Sequence, residues 1–318
     1  MSLTPNRDVT LSVALDDFTI SYGDLTAVDR FSAVLTSGTI GLLGPNGAGK
    51  SSLIKGLLGL VPLSGGSASV LDMDVATDPK GIRQNIGYMP EDDCLIPGLT
   101  GVGMVQYAGE LSGMGQVDAM QRAHEVLFLT GLEEARYRKV ETYSAGMKQR
   151  IKLAQALVHD PRLLLLDEPT SGMDPQGRQE MLDLIQNISS HGTMSIILAT
   201  HILIDVERTC EQVLIMNRGR VLRQDVVEEL QGTFGGEYLV RVEGDHERFQ
   251  ADLESRGCRV SPGSRQSMEV TIPQGGDTDL ILESSRATGV QLRKLVASVQ
   301  SLEDVFMKLI VEDDDADL

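Results

Sequence analysis

The chain has 318 residues, a hydrophobic share of 41% and no tryptophan, so aliphatic side chains and methionine must fill its core. Its 28 basic and 46 acidic residues give a net charge of −18, which argues against a nucleic-acid-binding protein that neutralises many phosphates. The three cysteines are far apart and show no metal-binding spacing, and no apolar run is long enough to span a bilayer. We therefore expect a soluble, cytosolic chain with reduced thiols.

The predicted elements change character along the chain. Residues 9–43 read as short strands separated by turns, with the sequences VTLSVAL, DFTISYGD, TAVDRFSAVL and TIGLL. From Gly44 onward, short apolar strands (NIGYM, RLLLLD, SIILAT, QVLIM) alternate with helices. This alternation predicts an α/β domain over residues 1–230 with a largely parallel sheet, and a helical lobe at about 95–160. The helical stretches are predicted at 102–111, 117–130, 145–158 and 175–190.

A second unit follows the linker-like run QGTFGG at 231–236. Residues 237–310 predict the order β-α-β-β-α-β, which is that of a ferredoxin-like α+β domain. Its first two helices are expected to end at Gly257 and Gly289, because glycine adopts the left-handed conformation of a helix C-cap without strain. The acidic residues 311–318 are predicted to be a disordered tail.

The run GPNGAGKS at 44–51 is a phosphate-binding loop of the form G-x4-G-K-S, with a strand before it and a helix after it. Its glycines allow successive N–H groups to point at phosphate oxygens, and the helix adds its positive N-terminal end. Lys50 is expected to reach the β- and γ-phosphates of a nucleotide, and the Ser51 hydroxyl to bind Mg2+. The predicted nucleotide-binding residues are Gly44, Pro45, Asn46, Gly47, Ala48, Gly49, Lys50, Ser51 and Ser52.

The aliphatic run at 163–166 ends in two carboxylates, Asp167 and Glu168. Asp167 can reach Mg2+ through water, and Glu168 is the candidate general base that polarises the attacking water. Alone, the run would equally suit a core strand that meets a solvated turn. Together with the phosphate loop, it predicts a nucleotide hydrolase.

Residues 143–149, YSAGMKQ, resemble the LSGGQ signature loop of ATP-binding cassette (ABC) proteins, although Tyr143 and Ala145 replace its leucine and first glycine. As an isolated string it could also be an ordinary capped helix start. The resemblance covers residues 9–230 and implies a P-loop NTPase of the ABC cassette type, with a mixed sheet core and a helical subdomain. It also implies that Ser144 and Gly146 contact the γ-phosphate of an ATP held by a second copy, in a head-to-tail homodimer.

Other positions match the same family in order. Tyr22 resembles the aromatic residue that stacks on adenine, Asp174 belongs to a D-loop-like SGMD, and His201 resembles the switch histidine that contacts the γ-phosphate. The resemblance therefore assigns catalytic roles to Lys50, Glu168 and His201. Without it, Tyr22 would be an ordinary core or surface residue and His201 a satisfied polar residue at a strand end.

The run IGYMPED falls where this family has its Q-loop, whose glutamine joins the Mg2+ shell. Glu91 replaces that glutamine, and a carboxylate oxygen is at least as good a ligand for a hard cation. Its attraction to Mg2+ and its repulsion from ATP are comparable, about 4 kcal/mol each for unit charges 4 Å apart at a dielectric of 20. The expected metal ligands are thus Ser51, Glu91 and Asp167.

Three sequence segments resemble those of the ATPase subunits of ABC-2-type exporters, namely IGYMPE, YSAGMKQR and SLEDVF (301–306). The resemblance implies an ATPase on the cytoplasmic face of the cell membrane that powers export through a separate membrane-spanning permease. The alternative is a soluble ABC ATPase that acts on DNA or ribosomes. The sequence shows neither the coiled-coil or zinc insertions nor the second cassette of those proteins, and no nucleic-acid partner is expected.

Overall fold

The chain divides into two compact units, residues 1–227 with 312–318 and residues 228–311. This boundary lies a few residues before the predicted linker, of which 232–236 fall outside the described residues. Within the described residues, no helix is both long and apolar enough to cross a bilayer. The computed structural model describes residues 11–190, 194–231, 237–262, 267–273, 276–297 and 302–316.

The strands of the first unit are β1 (Leu11–Tyr22), β2 (Leu25–Thr36), β3 (Thr39–Leu43), β4 (Gly65–Val70), β5 (Met73–Asp74), β6 (Ile86–Met89), β7 (Leu163–Asp167), β8 (Ser195–Thr200), β9 (Gln212–Asn217) and β10 (Arg220–Val226). An antiparallel sheet has the order β2-β1-β4-β5, and a second sheet has the order β10-β9-β3-β8-β7-β6. The second sheet is parallel except for β10. Its inner strands β3, β7 and β8 are buried along their whole length, as expected for aliphatic strands covered on both faces.

The helices of the first unit are α1 (Lys50–Leu57), α2 (Pro79–Asn85), α3 (Gly101–Leu111), α4 (Gln116–Leu129), α5 (Ala145–Leu157), α6 (Pro175–Ser190), α7 (Leu203–Thr209) and α8 (Val227–Gln231), the last at the boundary between the units. The four stretches predicted at 102–111, 117–130, 145–158 and 175–190 match α3, α4, α5 and α6 to within one residue. Helices α3, α4 and α5 pack on one another and form the helical lobe. The fold predicted from the sequence, an α/β cassette with a helical subdomain, is therefore the observed one.

Helix α1 lies between the two sheets and contacts strands of both. Leu53 and Ile54 on this helix are fully or almost fully buried in the shared core. Gly56 is required by close packing, because a Cβ there would lie 2.4 Å from Ile20 Cδ1 and 2.6 Å from Phe18 Cζ. The core therefore fixes the start of α1, and with it the phosphate loop, at the edge of the parallel sheet.

The N-terminal strands differ from the prediction of two short strands joined by a turn. Residues 11–22 form one continuous strand whose pairing with β2 shifts in register between Leu15 and Phe18. Asp17 has φ 47° and makes a bulge at this point. The Asp16-Asp17 pair, which the sequence suggests as a turn, is accommodated within the strand.

The second unit contains β11 (Glu237–Glu243), α9 (His246–Ser255), β12 (Arg259–Pro262), β13 (Met268–Thr271), α10 (Asp279–Thr288) and β14 (Gln291–Ala297), and α11 (Leu302–Ala316) follows. Its antiparallel sheet has the order β12-β13-β11-β14, as in a ferredoxin-like fold. Val240, Phe249, Val270 and Ile281 form the centre of its core. Gly289 caps α10 with φ 72°.

The acidic tail differs from the disordered segment expected for 311–318, because α11 continues as far as Ala316. Leu302 and Val305 are buried at the start of the helix, and Glu303 and Asp304 lie in its first turn, where negative charge is favourable. Once a helix has started, each further residue adds a hydrogen bond at little cost. The helix therefore extends into a stretch that composition alone assigns to disorder.

Candidate nucleotide-hydrolysis site

The candidate site lies at the carboxyl ends of the parallel strands. Strands β3, β8, β7 and β6 are neighbours in this order, so the loops that follow them meet at one edge of the sheet. These loops carry the phosphate loop, His201, Glu168 and Glu91 respectively. The topology thus brings together four motifs that are spread over more than 100 residues of sequence.

The phosphate loop depends on two of its glycines. A Cβ on Gly44 would lie 2.4 Å from a backbone oxygen of β9, and one on Gly49 would lie 2.4 Å from the carbonyl oxygen of Ala27. Gly49 also has φ 101°, which L side chains rarely adopt. Lys50 is buried, and its Nζ donates to the carbonyl oxygens of Gly44 at 2.8 Å and Pro45 at 3.2 Å.

Glu168 occupies a strained position directly after β7, with φ 48° for a non-glycine residue. Its Oε1 lies 2.9 Å from His201 Nδ1 and 3.6 Å from Lys50 Nζ, and its Oε2 accepts a hydrogen bond from Thr200 Oγ1 at 3.4 Å. Because an ionised carboxylate only accepts hydrogen bonds, Nδ1 of His201 carries the hydrogen in this pair. The carboxylate is thus held by hydrogen bonds from two consecutive residues at the end of β8 and by the charge of Lys50 at the start of α1.

A buried carboxylate supports the turn after Glu168. Asp205 on α7 is fully buried and accepts hydrogen bonds from Thr170 Oγ1 and from Arg178 Nε, both at 2.7 Å. This ties the turn that follows β7 to the helix that follows His201. The two loops that carry the Glu168–His201 pair are therefore fixed relative to each other.

Asp167 is 2% exposed, and its Oδ1 has no hydrogen-bond partner among the described residues. Burial is the main cause that raises the pKa of this carboxyl group, and the negative charges of Glu91 and Glu168 raise it further, whereas a hydrogen bond from Ser51 opposes the shift. Lys50 offsets part of this negative charge, and a divalent cation would offset the rest. The residues present therefore fit Mg2+.

A cavity of about 590 Å3 opens beside these residues, within the usual size range of small-molecule sites. Tyr22 is 44% exposed beside it and can offer an aromatic face to a base. Gly44, Pro45 and Ala48 of the predicted loop do not line it. The lining residues are Tyr22, Leu25, Thr26, Ala27, Asn46, Gly47, Gly49, Lys50, Ser51, Ser52, Glu91, Asp167, Glu168 and Arg218.

Four other predicted residues also lie outside the lining. His201 reaches the cluster through Glu168, whereas Ser144, Gly146 and Asp174 are separate from it. Ser144 is exposed at the start of α5, and its Oγ accepts the N–H of Met147 at 3.3 Å. Asp174 is exposed as well and accepts a backbone N–H from α6. These side chains are thus available to another molecule.

The structure adds four lining residues that the sequence did not indicate. Leu25, Thr26 and Ala27 begin β2, which pairs with the strand that ends at Tyr22. The hairpin signal at Gly23-Asp24 could have placed them beside Tyr22. Arg218 lies in the turn after β9, and its place at the site follows only from the pairing of β9 with β3.

Comparisons with known proteins agree with this geometry. A family profile described as "ABC transporter" matches residues 31–171. The chain is 33% identical to the linearmycin resistance ATP-binding protein LnrL of Bacillus subtilis, over 91% of this chain and 95% of that protein. It is 31% identical to the daunorubicin/doxorubicin resistance ATP-binding protein DrrA of Streptomyces peucetius, over 96% of this chain and 94% of that protein.

A comparison with solved structures supports the same family. The solved structure of CbiO1 from Clostridium perfringens, described as part of the ABC transporter complex CbiONQ, superposes with a TM-score of 0.63 and 26% identity, covering 70% of this chain and 90% of that chain. The predicted ABC cassette is thereby confirmed. The chain belongs to the ABC transporter family, as an ATP-binding and ATP-hydrolysing subunit.

Proposed function

We propose that this protein powers export through a separate membrane-spanning permease, on the cytoplasmic face of the cell membrane. The observation that carries the ATPase chemistry is Glu168 beside one cavity, hydrogen-bonded to His201 and ion-paired with Lys50. The direction of transport is supported by the likeness to two drug-resistance ATP-binding proteins, which extends over more than nine-tenths of each chain.

In this proposal each side chain has a separate task. Lys50 leaves the carbonyl oxygens of its own loop to bind the β- and γ-phosphates. Glu168 accepts the proton of the attacking water, and His201 keeps the carboxylate in place through its Nδ1 hydrogen. Mg2+ bound with ATP neutralises charge on the phosphate oxygens.

Ser51, Asp167 and Glu91 would hold that ion. Within the described residues, no group of three or more His, Cys, Asp or Glu side chains is placed to hold a metal alone, so phosphate and water would complete the shell. Glu91 lines the cavity and adds negative charge near Asp167. We expect a steeper Mg2+ dependence of ATP turnover than in the Glu91→Gln variant. An unchanged Mg2+ dependence in that variant would rule out Glu91 as a direct ligand.

The signature loop is proposed to act on a second copy of the chain. Ser144 and Asp174 are exposed and outside the cavity, and Ser144 precedes a 13-residue helix whose N-terminal end favours an anion. Two copies placed head to tail would then enclose two ATP molecules. Each would be held by Lys50 of one copy and by Ser144 and Gly146 of the other.

Size-exclusion chromatography with light scattering tests this arrangement. The Glu168→Gln variant should form dimers with MgATP, because it binds ATP and does not hydrolyse it. Adding Ser144→Arg should abolish the dimer while the single chain still binds ATP, whereas adding Lys50→Ala should weaken both ATP binding and dimer formation. A double variant with Ser144→Arg that still dimerises would exclude the signature loop from the interface.

The membrane partner is tested by reconstitution with the co-expressed permease in vesicles. The proposal expects ATP-dependent binding to vesicles that contain the permease, and ATP turnover that the permease stimulates. Empty vesicles serve as the control. Binding of the chain to ribosomes or DNA, with no response to the permease, would instead favour the soluble ABC ATPase.

A further inference from the structure

Lys152 on α5 is one of the largest fully buried side chains of the protein, with 1% exposure. Lysine is almost never fully buried unless its ammonium is paired. Its Nζ donates to the carbonyl oxygens of Pro90 at 2.8 Å, Glu91 at 2.8 Å and Asp92 at 3.4 Å. An ammonium has three donors, so all of them go to the main chain of one loop.

The hydrogen-bond partners of this ammonium are unusual for a buried cation. The residues on either side of Lys152 in the sequence, Ile151 and Leu153, are fully buried apolar side chains. Within the described residues, the hydrogen bonds of its ammonium go to carbonyl oxygens and not to a carboxylate. The charges of Glu91, Asp92 and Asp93 also act on this ammonium, but its direct contacts are with the main chain, so its position fixes the carbonyl groups of that loop.

The loop that Lys152 holds carries Glu91 into the ATP cavity, where its charge acts on Asp167. A second tie lies one turn earlier on the same helix, where Lys148 Nζ forms an ion pair with Asp93 Oδ2 at 2.7 Å. The first tie is buried and the second is partly exposed, so the first is the stronger. Both connect the loop to a helix that starts at Ser144.

We infer that Lys152 is a positioning residue: its ammonium fastens the main chain of 90–92 to α5, so that Glu91 faces the Mg2+–ATP site and follows any movement of the signature helix. This inference rests on the proposed role of Glu91. It connects the N-terminal cap of α5 with the middle of the helix, because in the proposed dimer Ser144 would contact the nucleotide of a second copy, while Lys152 holds a residue at the nucleotide of its own copy.

Two readouts test the inference in the Lys152→Met variant, which keeps the length of the side chain and removes the ammonium. The first is amide hydrogen exchange of residues 91–96 without nucleotide, which should become at least about tenfold faster, a change that corresponds to about 1.4 kcal/mol of opening free energy. The second is the Mg2+ concentration for half-maximal ATP turnover, which should rise about 10- to 100-fold, as when a partner of a metal ligand is removed.

Two matched variants distinguish the loss of the buried Lys152 contacts from a general effect of substitutions on α5. Lys148→Met removes only the partly exposed ion pair and should change the Mg2+ requirement less than about fivefold. Lys152→Gln keeps two of the three donors and should give an intermediate shift. It also keeps the test available if Lys152→Met does not fold, as judged by thermal unfolding.

The double variant Glu91→Gln with Lys152→Met shows whether Lys152 acts through Glu91. The inference expects little further shift in Mg2+ requirement when Lys152→Met is added to Glu91→Gln. A full, additive shift, or unchanged amide exchange of residues 91–96, would overturn it. If Glu91→Gln alone has no effect on Mg2+ dependence, the proposed role of Glu91 fails, while the exchange experiment still decides whether Lys152 fastens the loop.

Discussion

Replacing Glu168 with glutamine is the sharpest test of the catalytic cluster. General-base catalysis contributes about 10²–10⁴-fold, so the maximal turnover rate should fall by that factor, which corresponds to about 2.7–5.4 kcal/mol of activation free energy. The variant also removes a negative charge 3.6 Å from Lys50 Nζ. At an effective dielectric of 20, unit charges at this distance attract each other by about 4.6 kcal/mol.

That attraction competes with the phosphates of ATP for the same ammonium. Because both groups are buried, desolvation offsets most of it, and we expect ATP to bind the Glu168→Gln variant at least as tightly as the wild type. Phosphate release and equilibrium binding of MgATP measure the two effects separately. Glu125→Gln, which removes an exposed carboxylate paired with Arg122, is the matched control and should change neither. A turnover rate within tenfold of the wild type, or weaker ATP binding, would refute the assignment of Glu168.

Three further predictions concern binding and stability. Lys50→Ala should weaken MgATP binding by about 1.5–3 kcal/mol, as measured by calorimetry, because it removes charged hydrogen bonds to phosphate. Burial lowers the pKa of His159, so the unfolded chain binds more protons as the pH falls below 6.5 and stability should decrease; His159→Gln should flatten this dependence in urea unfolding. Gly87→Ala should destabilise the fold by about 1–3 kcal/mol, because a Cβ would lie 2.1 Å from a backbone oxygen of α5.

Each of these has its own control. Normal MgATP binding by Lys50→Ala would show that the phosphate loop does not hold the nucleotide through this ammonium. The sign for His159 follows from a folded pKa below the unfolded value, so an equal pH dependence of stability in wild type and variant would contradict the burial of a neutral imidazole. Gly65→Ala, where the nearest atom to a new Cβ is 3.6 Å away, should be tolerated; equal losses at Gly87 and Gly65 would show that close packing is not the cause.

Much of the fold could be predicted because local signals agree with the final structure. Helix α6 begins at the proline and ends at the serine that its pattern predicts, and the inner strands are continuous aliphatic runs between polar turns. The phosphate loop is equally local, because its glycines, Lys50 and Ser51 act within eight residues of each other. Such features depend on neighbours in sequence.

The features that could not be predicted depend on contacts between residues that are far apart in the sequence. Arg218 lines the cavity because β9 pairs with β3, and no local pattern states that order of strands. Lys152 shares a helical face with Lys148, Gln149 and Gln155, so this spacing suggests an exposed side chain, and only the packing of α5 on the loop after β6 buries it. Helix α11 extends through the acidic residues because propagation from a formed helix outweighs their composition, which by itself indicates disorder.

The walls of the cavity come from both sheets of the cassette. Tyr22 and Leu25–Ala27 belong to the antiparallel sheet, whereas the phosphate loop, Asp167 and Glu168 follow strands of the parallel sheet. One sheet can therefore select the base while the other carries out the phosphate chemistry. Nucleotide preference could then change by substitution in the β1–β2 hairpin alone, with the hydrolytic machinery left intact.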